Sequence, residues 1–256
     1  MLFGSFWYFQ DRGEPVTATY DACLAEIELA EELGFDEVWL AEHHFSPYGL
    51  LPSPNLILAT LAARTRRVRV GNMINTLPFY QPLRLAEEIA MLDHLTHGRL
   101  NVGIGSGVAR EYGRYGVPLE EAKPRFFETA EILLKALTQE RFDHQGQFFR
   151  YADIPLMPRP LQRPHPPMYV AATSEDTVRW AAARGLGIAQ MWNPVADTQR
   201  AVQLYRGLVA HNGATGGRGS VRLFRAVYVA ETTEQALAEA EPAYYRFFQY
   251  FSGDPA

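Results

Sequence analysis

Residues 68–105 read VRVGNMINTLPFYQPLRLAEEIAMLDHLTHGRLNVGIG, and their pattern predicts a strand, a helix and a second strand. The apolar run at 68–71 predicts the first strand, and a proline, favourable at a first helical position, opens a helix at 82–95. Gly98 ends that helix, and the apolar run at 99–105 predicts the next strand. A repeat of about thirty residues is the usual length of a strand–helix unit in a parallel sheet.

The same alternation covers most of the chain. Earlier strands begin near residues 2 and 35, and later ones are predicted at 168–172, 187–191 and 221–230. A helical pattern follows each strand, so the sequence predicts seven strand–helix pairs. The helix after the fourth strand is predicted at 124–138, and the glycine-rich segment at 212–220 is predicted to be a loop.

Residues 140–167 interrupt the alternation. The string FDHQGQFFRY predicts a hairpin around Gly146, and PLMPRPLQRPHPP, which ends at Pro167, predicts stiff extended chain. We therefore expect one domain, residues 1–256, with an extended insertion at about 140–167.

A barrel and a doubly wound sheet both repeat strand–helix units, and glycine placement separates them. A dinucleotide-binding sheet carries its glycine-rich turn after the first strand, where this chain has QDRGEP. GIGSG at 103–107 follows the fourth strand and is not G-x-G-x-x-G. Polar residues follow many strand ends, which favours a TIM-type (β/α)8 α/β barrel. No eighth strand is apparent, so we expect a C-terminal truncation or a barrel open on one side.

Composition excludes several classes of protein. The net charge of −5 and a pI near 5.8 argue against nucleic-acid binding. A single cysteine, Cys23, allows no disulfide within the chain and favours a reducing, cytoplasmic location. No apolar run reaches the ~20 residues of a membrane helix. The apolar N-terminus has no basic segment or cleavage site, so it predicts a strand and not a signal peptide.

The string AEHHF places an acid and two imidazoles, Glu42, His43 and His44, where the second strand ends. Neighbouring side chains on a strand point to opposite sides, so one histidine faces the barrel mouth and the other the helices. That divergence disfavours a shared metal, and no metal site is expected. The alternative is a pair of core histidines bonded to backbone. Their position at the catalytic face of a barrel favours a functional role for one of them.

Three strings together resemble the bacterial-luciferase-like flavin-dependent monooxygenases. They are GFDEVWLAEHHF, ARTRRVRVGNMINTLPFYQPLRLAEEIAMLDHLTHGRLNVGIGSG and PPMYVAATSEDTVRWAAARG, in this order. The resemblance covers nearly the whole chain and implies a TIM-type barrel with insertions. It also implies reduced FMN as co-substrate and a homodimer. In the dimer, His44 would lie at the contact and face Glu87 of the partner subunit.

The resemblance assigns roles to residues along the chain. His43 matches the active-site histidine, and a cis peptide is implied at Met73–Ile74, beneath the flavin ring. Gly105 and Ser106 stand where luciferases carry a cysteine and an arginine, and Thr173 stands where the family has an acid. These departures argue against light emission. The implied flavin-binding residues are Met73, Ile74, Asn75, Gly105, Ser106, Arg125, Thr173, Ser174 and Thr177, with Arg125, Ser174 and Thr177 at the phosphate.

The resemblance thus predicts a two-component monooxygenase supplied with reduced FMN by a separate flavin reductase. A small apolar substrate, such as an aldehyde, is expected to lie against aromatic side chains, although any of these could equally belong to the core: Phe6, Phe45, Phe79, Tyr112 and Trp192. Two alternatives stay open. The chain could be an oxidoreductase that uses the deazaflavin F420, or a flavin-binding protein without catalysis.

Overall fold

Seven parallel strands form the main sheet of this protein, whose structure is a computed structural model. The structure describes residues 1–211 and 220–252, and only the backbone of 250–252. The segment 212–219, most of the loop expected at 212–220, lies outside the described residues. The main-sheet strands are β1 (Gly4–Trp7), β2 (Glu37–Leu40), β3 (Arg69–Thr76), β4 (Leu100–Gly105), β7 (Met168–Ala171), β8 (Gly187–Met191) and β9 (Val221–Phe224). Two further strands, β5 (Phe142–Gln145) and β6 (Arg150–Ile154), pair as an antiparallel hairpin within 140–167.

Helices connect the strands and cover the outer face of the sheet. They are α1 (Val16–Glu32), α2 (Pro54–Arg64), α3 (Pro82–Leu95), α4 (Ala109–Tyr112), α5 (Leu119–Thr138), α6 (Glu175–Ala183), α7 (Val195–His211) and α8 (Thr233–Ser252). The sheet order is β1-β2-β3-β4-β7-β8-β9, so each new main-sheet strand joins the edge of the previous one. This order is that of a barrel wound in one direction.

The sheet curves until its last strand approaches its first two. The rings of Phe6 on β1 and Phe224 on β9 lie 4.8 Å apart. Arg222 on β9 forms two hydrogen bonds with the Glu37 carboxylate on β2, of 2.7 and 2.6 Å. The prediction of a TIM-type barrel is confirmed, and within the described residues the sheet has seven strands and no eighth.

Strand alternation divides the core into two layers. Val38 and Leu40 point outward and pack under the helices, where the larger apolar cluster lies. Trp39 points inward and meets Tyr169 and Phe224 at ring-centroid distances of 5.3 and 6.1 Å. Because large side chains fill the barrel, chemistry is confined to its mouth.

Three predicted boundaries are wrong by more than two residues. The strand predicted at 68–71 extends to Thr76, beyond the apolar run that predicted it. The predicted strand at 221–230 ends at Phe224, beyond which Val227 and Val229 are 81% and 86% exposed. Alternating apolar residues there resemble a strand but have no sheet to pair with. The helix predicted from Pro124 begins at Leu119, so Pro124 lies inside the helix and does not mark its start, although it has no N–H to donate to the preceding turn.

The surface expected at a dimer contact is smaller than the sequence suggests. The apolar pattern of α2 and α3 predicts that five residues face a partner: Leu56, Ile57, Leu85, Ile89 and Leu92. Leu85, Ile89 and Leu92 are instead at most 5% exposed and belong to the chain's own core. Of that set, Leu56 is exposed, at 71%. Periodicity identifies an apolar face, but not which molecule covers it.

The helical spacing of Cys23, Ile27 and Ala30 predicts that Cys23 lies on the apolar face of its helix, and Cys23 is buried in α1. In the part of the chain that the structure describes, no helix has the length and apolar character needed to cross a membrane.

Candidate active site

The mouth of the barrel collects side chains from the carboxyl ends of several strands. His43 follows β2, Ile74 lies in β3, Gly105 ends β4, and Trp192 follows β8. This edge is where (β/α)8 enzymes place their reactive groups. Among residues 1–211 and 220–252, no group of three or more His, Cys, Asp or Glu side chains is arranged to hold a metal.

His43 forms a dyad with a carboxylate from a distant part of the chain. Its Nδ1 lies 3.2 Å from Oε1 of Glu111, which is 2% exposed. The same Oε1 accepts the backbone N–H of His44 at 3.3 Å. A carboxylate only accepts, so Nδ1 of His43 carries the hydrogen and Nε2 is the nitrogen that can take a proton. The dyad therefore fixes both the orientation and the tautomer of His43.

Two tyrosines hold the His43 ring from the side of the mouth. The ring of Tyr8 stacks on His43 at 6.0 Å, and Tyr48 meets it edge-on at 4.6 Å. Phe247 of α8 packs against both tyrosines at 5.4 and 5.2 Å. Burial raises the pKa of Tyr8 to about 12, so its hydroxyl keeps its proton at neutral pH. Aromatic side chains thus surround the imidazole.

His44 points away from His43, as strand alternation predicts, and it is buried. It is 6% exposed. Its Nε2 lies 3.2 Å from Glu42 and its Nδ1 lies 2.8 Å from the Tyr115 hydroxyl. The ring of Phe79 meets it edge-on at 5.5 Å. The chain's own side chains enclose His44, and its place at a dimer contact stays a prediction.

Glu42 is a buried carboxylate with a full set of hydrogen-bond donors. It accepts the backbone N–H of Thr76 at 3.1 Å and the Tyr80 hydroxyl at 2.5 Å. The Asn75 amide also reaches it at 3.5 Å. Burial, and next the charge of Glu42, raises the pKa of Tyr80, so its hydroxyl remains a donor. This network ties β2 to β3 at the mouth, so Glu42 acts as a structural residue.

An apolar strip crosses the mouth from β3 to β7. The Met73–Ile74 peptide is cis, and Ile74 is half-buried. A Cβ added to Gly105 would lie 2.5 Å from the Ile74 Cδ1 and 3.3 Å from the Cβ of Ala171. Glycine at 105 therefore lets Ile74 lie flat between the strands, and a cysteine there would displace it. The strip is an apolar surface on which a planar ring can lie.

Asn75 and Ser106 border that strip in different ways. The Asn75 side chain is buried in the Glu42 network, and its Oδ1 has no hydrogen-bond partner among the described residues. Ser106 contributes its carbonyl, which accepts the Tyr112 hydroxyl at 2.8 Å. Neither side chain is shown to face the strip, so their roles at a flavin stay predictions.

The strip leads to the amino terminus of α6. Ser174 caps this helix, since its Oγ accepts the Thr177 N–H at 3.3 Å and lies 2.9 Å from the Thr177 hydroxyl. Thr173 and Ser174 also line a cavity of about 440 Å³ between α6 and α7. Free N–H groups and hydroxyls at a helix start can bind phosphate. The apolar strip fits the ring of a flavin nucleotide, and this turn fits its phosphate.

Two cationic side chains of α5 lie on different sides of α5. Lys123 reaches Asp176 in the first turn of α6 at 3.7 Å. Arg125, the predicted phosphate ligand, bonds to Glu121 at 2.7 Å and lies over the Phe148 ring of the hairpin at 4.3 Å. The structure thus brings Ser174 and Thr177 together and shows Lys123, which sequence reasoning missed, beside their turn.

The five aromatic residues expected in one substrate pocket separate into three groups. Phe6 packs inside the barrel with Phe224. Phe45 and Phe79 surround Tyr115 near His44, and Phe79 also meets Tyr112. Trp192 packs against Phe247, which also meets Tyr8, a neighbour of Phe6. That all five line one substrate pocket stays a prediction.

Trp192 lines the larger space at the mouth, a cavity of about 610 Å³ between strand-end loops and α8. Gln10, Arg225, Tyr228, Tyr244 and Phe247 also line this α8 cavity. Of these residues, sequence reasoning assigned Trp192 to the substrate pocket and placed Gln10 at a strand end. It also missed Glu111, because an acid in a short helix gives no sign that it will meet a histidine 68 positions away.

Comparison with known proteins places this geometry in a family. A family model described as luciferase-like monooxygenase matches residues 1–255. The chain is 36% identical over 253 residues to the uncharacterised protein y4wF of Sinorhizobium fredii, covering 98% of this chain and 74% of that protein. It is 31% identical over 241 residues to the flavin-dependent trigonelline monooxygenase, oxygenase component, of Acinetobacter baylyi, covering 91% of this chain and 65% of that enzyme. The solved structure of monooxygenase RslO1 from Streptomyces bottropensis superposes with a TM-score of 0.93 at 31% identity, over 99% of this chain and 79% of that one.

Proposed function

This chain belongs to the luciferase-like monooxygenase family, and we propose that it is the oxygenase of a two-component system. It receives reduced FMN from a separate flavin reductase and uses O2 to oxidise a small organic substrate. Support for a second component comes from a relative, 31% identical, named as an oxygenase component. The chain also lacks a glycine-rich nicotinamide-binding turn after its first strand, so it has no evident site for a reductant of its own.

One observation carries the proposal: the His43–Glu111 dyad opens onto the same mouth as the apolar strip of Ile74 and Gly105. Flavin oxygenation needs a proton-transferring group beside an apolar surface that holds the planar ring. Reduced FMN, when bound, supplies two electrons, so that one oxygen atom of O2 enters the substrate and the other leaves as water. The chain supplies position, protons and exclusion of water.

His43 is the proposed catalytic residue. Its Nε2 takes up or returns a proton at the reacting atoms, while Glu111 keeps the ring oriented and balances the charge when the imidazole is protonated. The Tyr8 hydroxyl stays neutral at pH 7 because its pKa is about 12, so it can donate a hydrogen bond but not act as a base. His43 is then the proton acceptor at this side of the mouth.

Aromatic packing keeps water from the reacting atoms. Tyr8, Tyr48 and Phe247 form a contiguous layer beside His43, with ring distances of 5.1 to 5.4 Å between them. In a site closed by such a layer, the side reaction that releases hydrogen peroxide without oxidising the substrate is suppressed. Proton delivery is thereby restricted to His43.

Ser174 and Thr177 are the proposed ligands of the flavin phosphate, assisted by Arg125 and Lys123. Arg125 must leave Glu121 to do so, which its half-exposed side chain allows. Exposed apolar residues of α2 and α3, Leu56 and Met91, are the surface on which we propose that a homodimer forms. The proposed location is the cytoplasm, since the one cysteine is a buried free thiol.

The choice of cofactor is tested by anaerobic titration of the full chain with reduced FMN and with reduced F420. We expect FMN to bind about tenfold more tightly or better, a difference of about 1.4 kcal/mol. Tighter binding of F420, with substrate turnover that needs no O2, would contradict the proposal and indicate a hydride-transferring oxidoreductase.

The phosphate ligands are tested by titrating FMN and riboflavin into single variants. Lys123→Ala and Arg125→Ala should each weaken FMN binding by about 1.5–3 kcal/mol if the cation contacts the phosphate, as for a charge-assisted hydrogen bond. Riboflavin, which lacks the phosphate, should bind nearly unchanged. Equal losses for both ligands would show that the cation does not contact the phosphate. Arg179→Ala, an exposed arginine paired with Glu175, is the matched control.

A further inference from the structure

The α8 cavity differs from the rest of the mouth in its charge. Its lining includes one cation, Arg225, and among the described lining residues there is no Asp or Glu. Most other lining side chains are aromatic or small and apolar, including Trp192, Tyr244 and Phe247. A space with a single positive group and aromatic walls favours a ligand with the opposite charge and a flat apolar body.

Among the described residues, Arg225 is held by neutral partners only. One Nη donates to the Phe224 carbonyl at 3.1 Å, and the other donates to the Thr198 hydroxyl at 2.7 Å. Within the described chain Arg225 makes no ion pair, and the nearby acid Asp197 is bonded to Arg200. A guanidinium has five N–H donors, so these two bonds fix its position and leave donors and the full charge available for a carboxylate.

Gln10 provides a second donor at the same cavity. Its Nε2 is buried and has no hydrogen-bond partner among the described residues, and Gln10 lines the space. A buried amide nitrogen without an acceptor is costly unless a ligand supplies one. The Gln10 Nε2 and the N–H groups of Arg225 that its two bonds leave over are therefore donors with no acceptor among the described residues.

The aromatic walls are arranged to hold a ring. Trp192 and Phe247 lie 5.3 Å apart with their planes at 45°, and Tyr244 lies nearly parallel to Phe247, at 6.5 Å and 11°. Trp192 has a positive φ of 63°, so the backbone turns there and aims the indole at α8. Faces of this kind bind planar rings better than flexible chains.

We propose that the α8 cavity is the substrate site and that the substrate is a planar aromatic carboxylate. Its ring packs between Trp192 and Tyr244, and its carboxylate accepts from Arg225 and Gln10. The assignment of this ligand as substrate rests on the proposed function, whereas its binding to the cavity does not. The proposed substrate is therefore an anionic aromatic compound, in place of the neutral aldehyde expected from the sequence.

The test is calorimetric titration of the full chain with three probes: benzoate, neutral benzamide, and cyclohexanecarboxylate, which keeps the charge but loses the flat ring. Benzoate should bind about tenfold more tightly than either of the others, the scale of one charge-assisted pair or one ring contact near water. Arg225→Gln should remove the preference for benzoate over benzamide. Arg206→Gln, an exposed arginine of α7 outside the cavity, should keep it.

Melting temperature verifies that each variant is folded, and Tyr244→Ala gives a second route, because it should lower benzoate affinity while the charge remains. Equal affinities of the native chain for benzoate and benzamide would overturn the proposal, as would a preference that survives Arg225→Gln. Reduced FMN binding is measured by titration in the same samples.

Loss of FMN binding in Arg225→Gln would assign Arg225 to the flavin phosphate and refute the substrate site. Failure of the native chain to bind FMN would instead refute the proposed function, whatever benzoate does.

Discussion

His43→Ala is expected to bind reduced FMN almost normally and to lose oxygenation by a factor of about 10²–10⁴, the usual contribution of a general acid–base group. Its Nε2 is the free nitrogen of the His43–Glu111 dyad, so the variant removes proton transfer without removing the apolar strip. Oxygen uptake should continue, but hydrogen peroxide should replace the oxygenated product. The measurement is the ratio of product to O2 consumed, with reduced FMN supplied chemically.

His44→Ala is the matched control for that experiment. His44 is buried and bonds to Glu42 and Tyr115, so its loss should lower the melting temperature because the buried Glu42 carboxylate loses a partner. Coupling of O2 to product per folded site should be kept. If His44→Ala uncouples the reaction and His43→Ala only destabilises the fold, the assignment of the two histidines is wrong.

Arg222→Met is expected to lower the free energy of unfolding by about 3–5 kcal/mol, because it leaves the Glu37 carboxylate buried without its cation. The side chains of Arg222 and Glu37 are 18% and 4% exposed, and their bonds join β9 to β2 across the open side of the barrel. The Trp39 indole, 3.0 Å from Glu37, cannot compensate for the lost charge. Urea unfolding followed by circular dichroism gives the measurement.

Two controls separate burial of charge from loss of contact. The double variant Glu37→Leu, Arg222→Met should recover much of the loss, since replacing both partners of a buried pair is often neutral. Arg64→Met breaks the exposed pair with Glu28 and should leave the free energy of unfolding nearly unchanged. A cost for Arg222→Met no larger than that of Arg64→Met would show that this pair does not hold the barrel together.

The barrel could be predicted because its strands are buried on both faces and read as short apolar runs. The helix Pro82–Leu95 has a proline at its start and a glycine just beyond its end, and the structure has these bounds. The strand predicted to Ala230 was too long because Val227 and Val229 carry the alternating pattern without a neighbouring strand. Pairing across a sheet is a non-local property, so a strand edge cannot be read from its own residues.

The site was predictable only in part, and for the same reason. Strand alternation predicted that His43 and His44 diverge. It could not supply the partner of His43, since Glu111 comes from a short helix distant in the chain. Phe79 shows the limit for aromatic residues, because a phenylalanine near the mouth packs equally well against Tyr115 or a substrate. The residue type alone does not decide whether such a side chain packs within the protein or against a substrate.

The central claim is that this chain binds reduced FMN and directs its reaction with O2. The most direct measurement is the time course of hydrogen peroxide release after O2 is admitted to the anaerobic full chain holding one equivalent of reduced FMN, without organic substrate. Because aromatic side chains around His43 exclude water, the account predicts release about tenfold slower or more than from free reduced FMN. Release at the rate of the free flavin would contradict it.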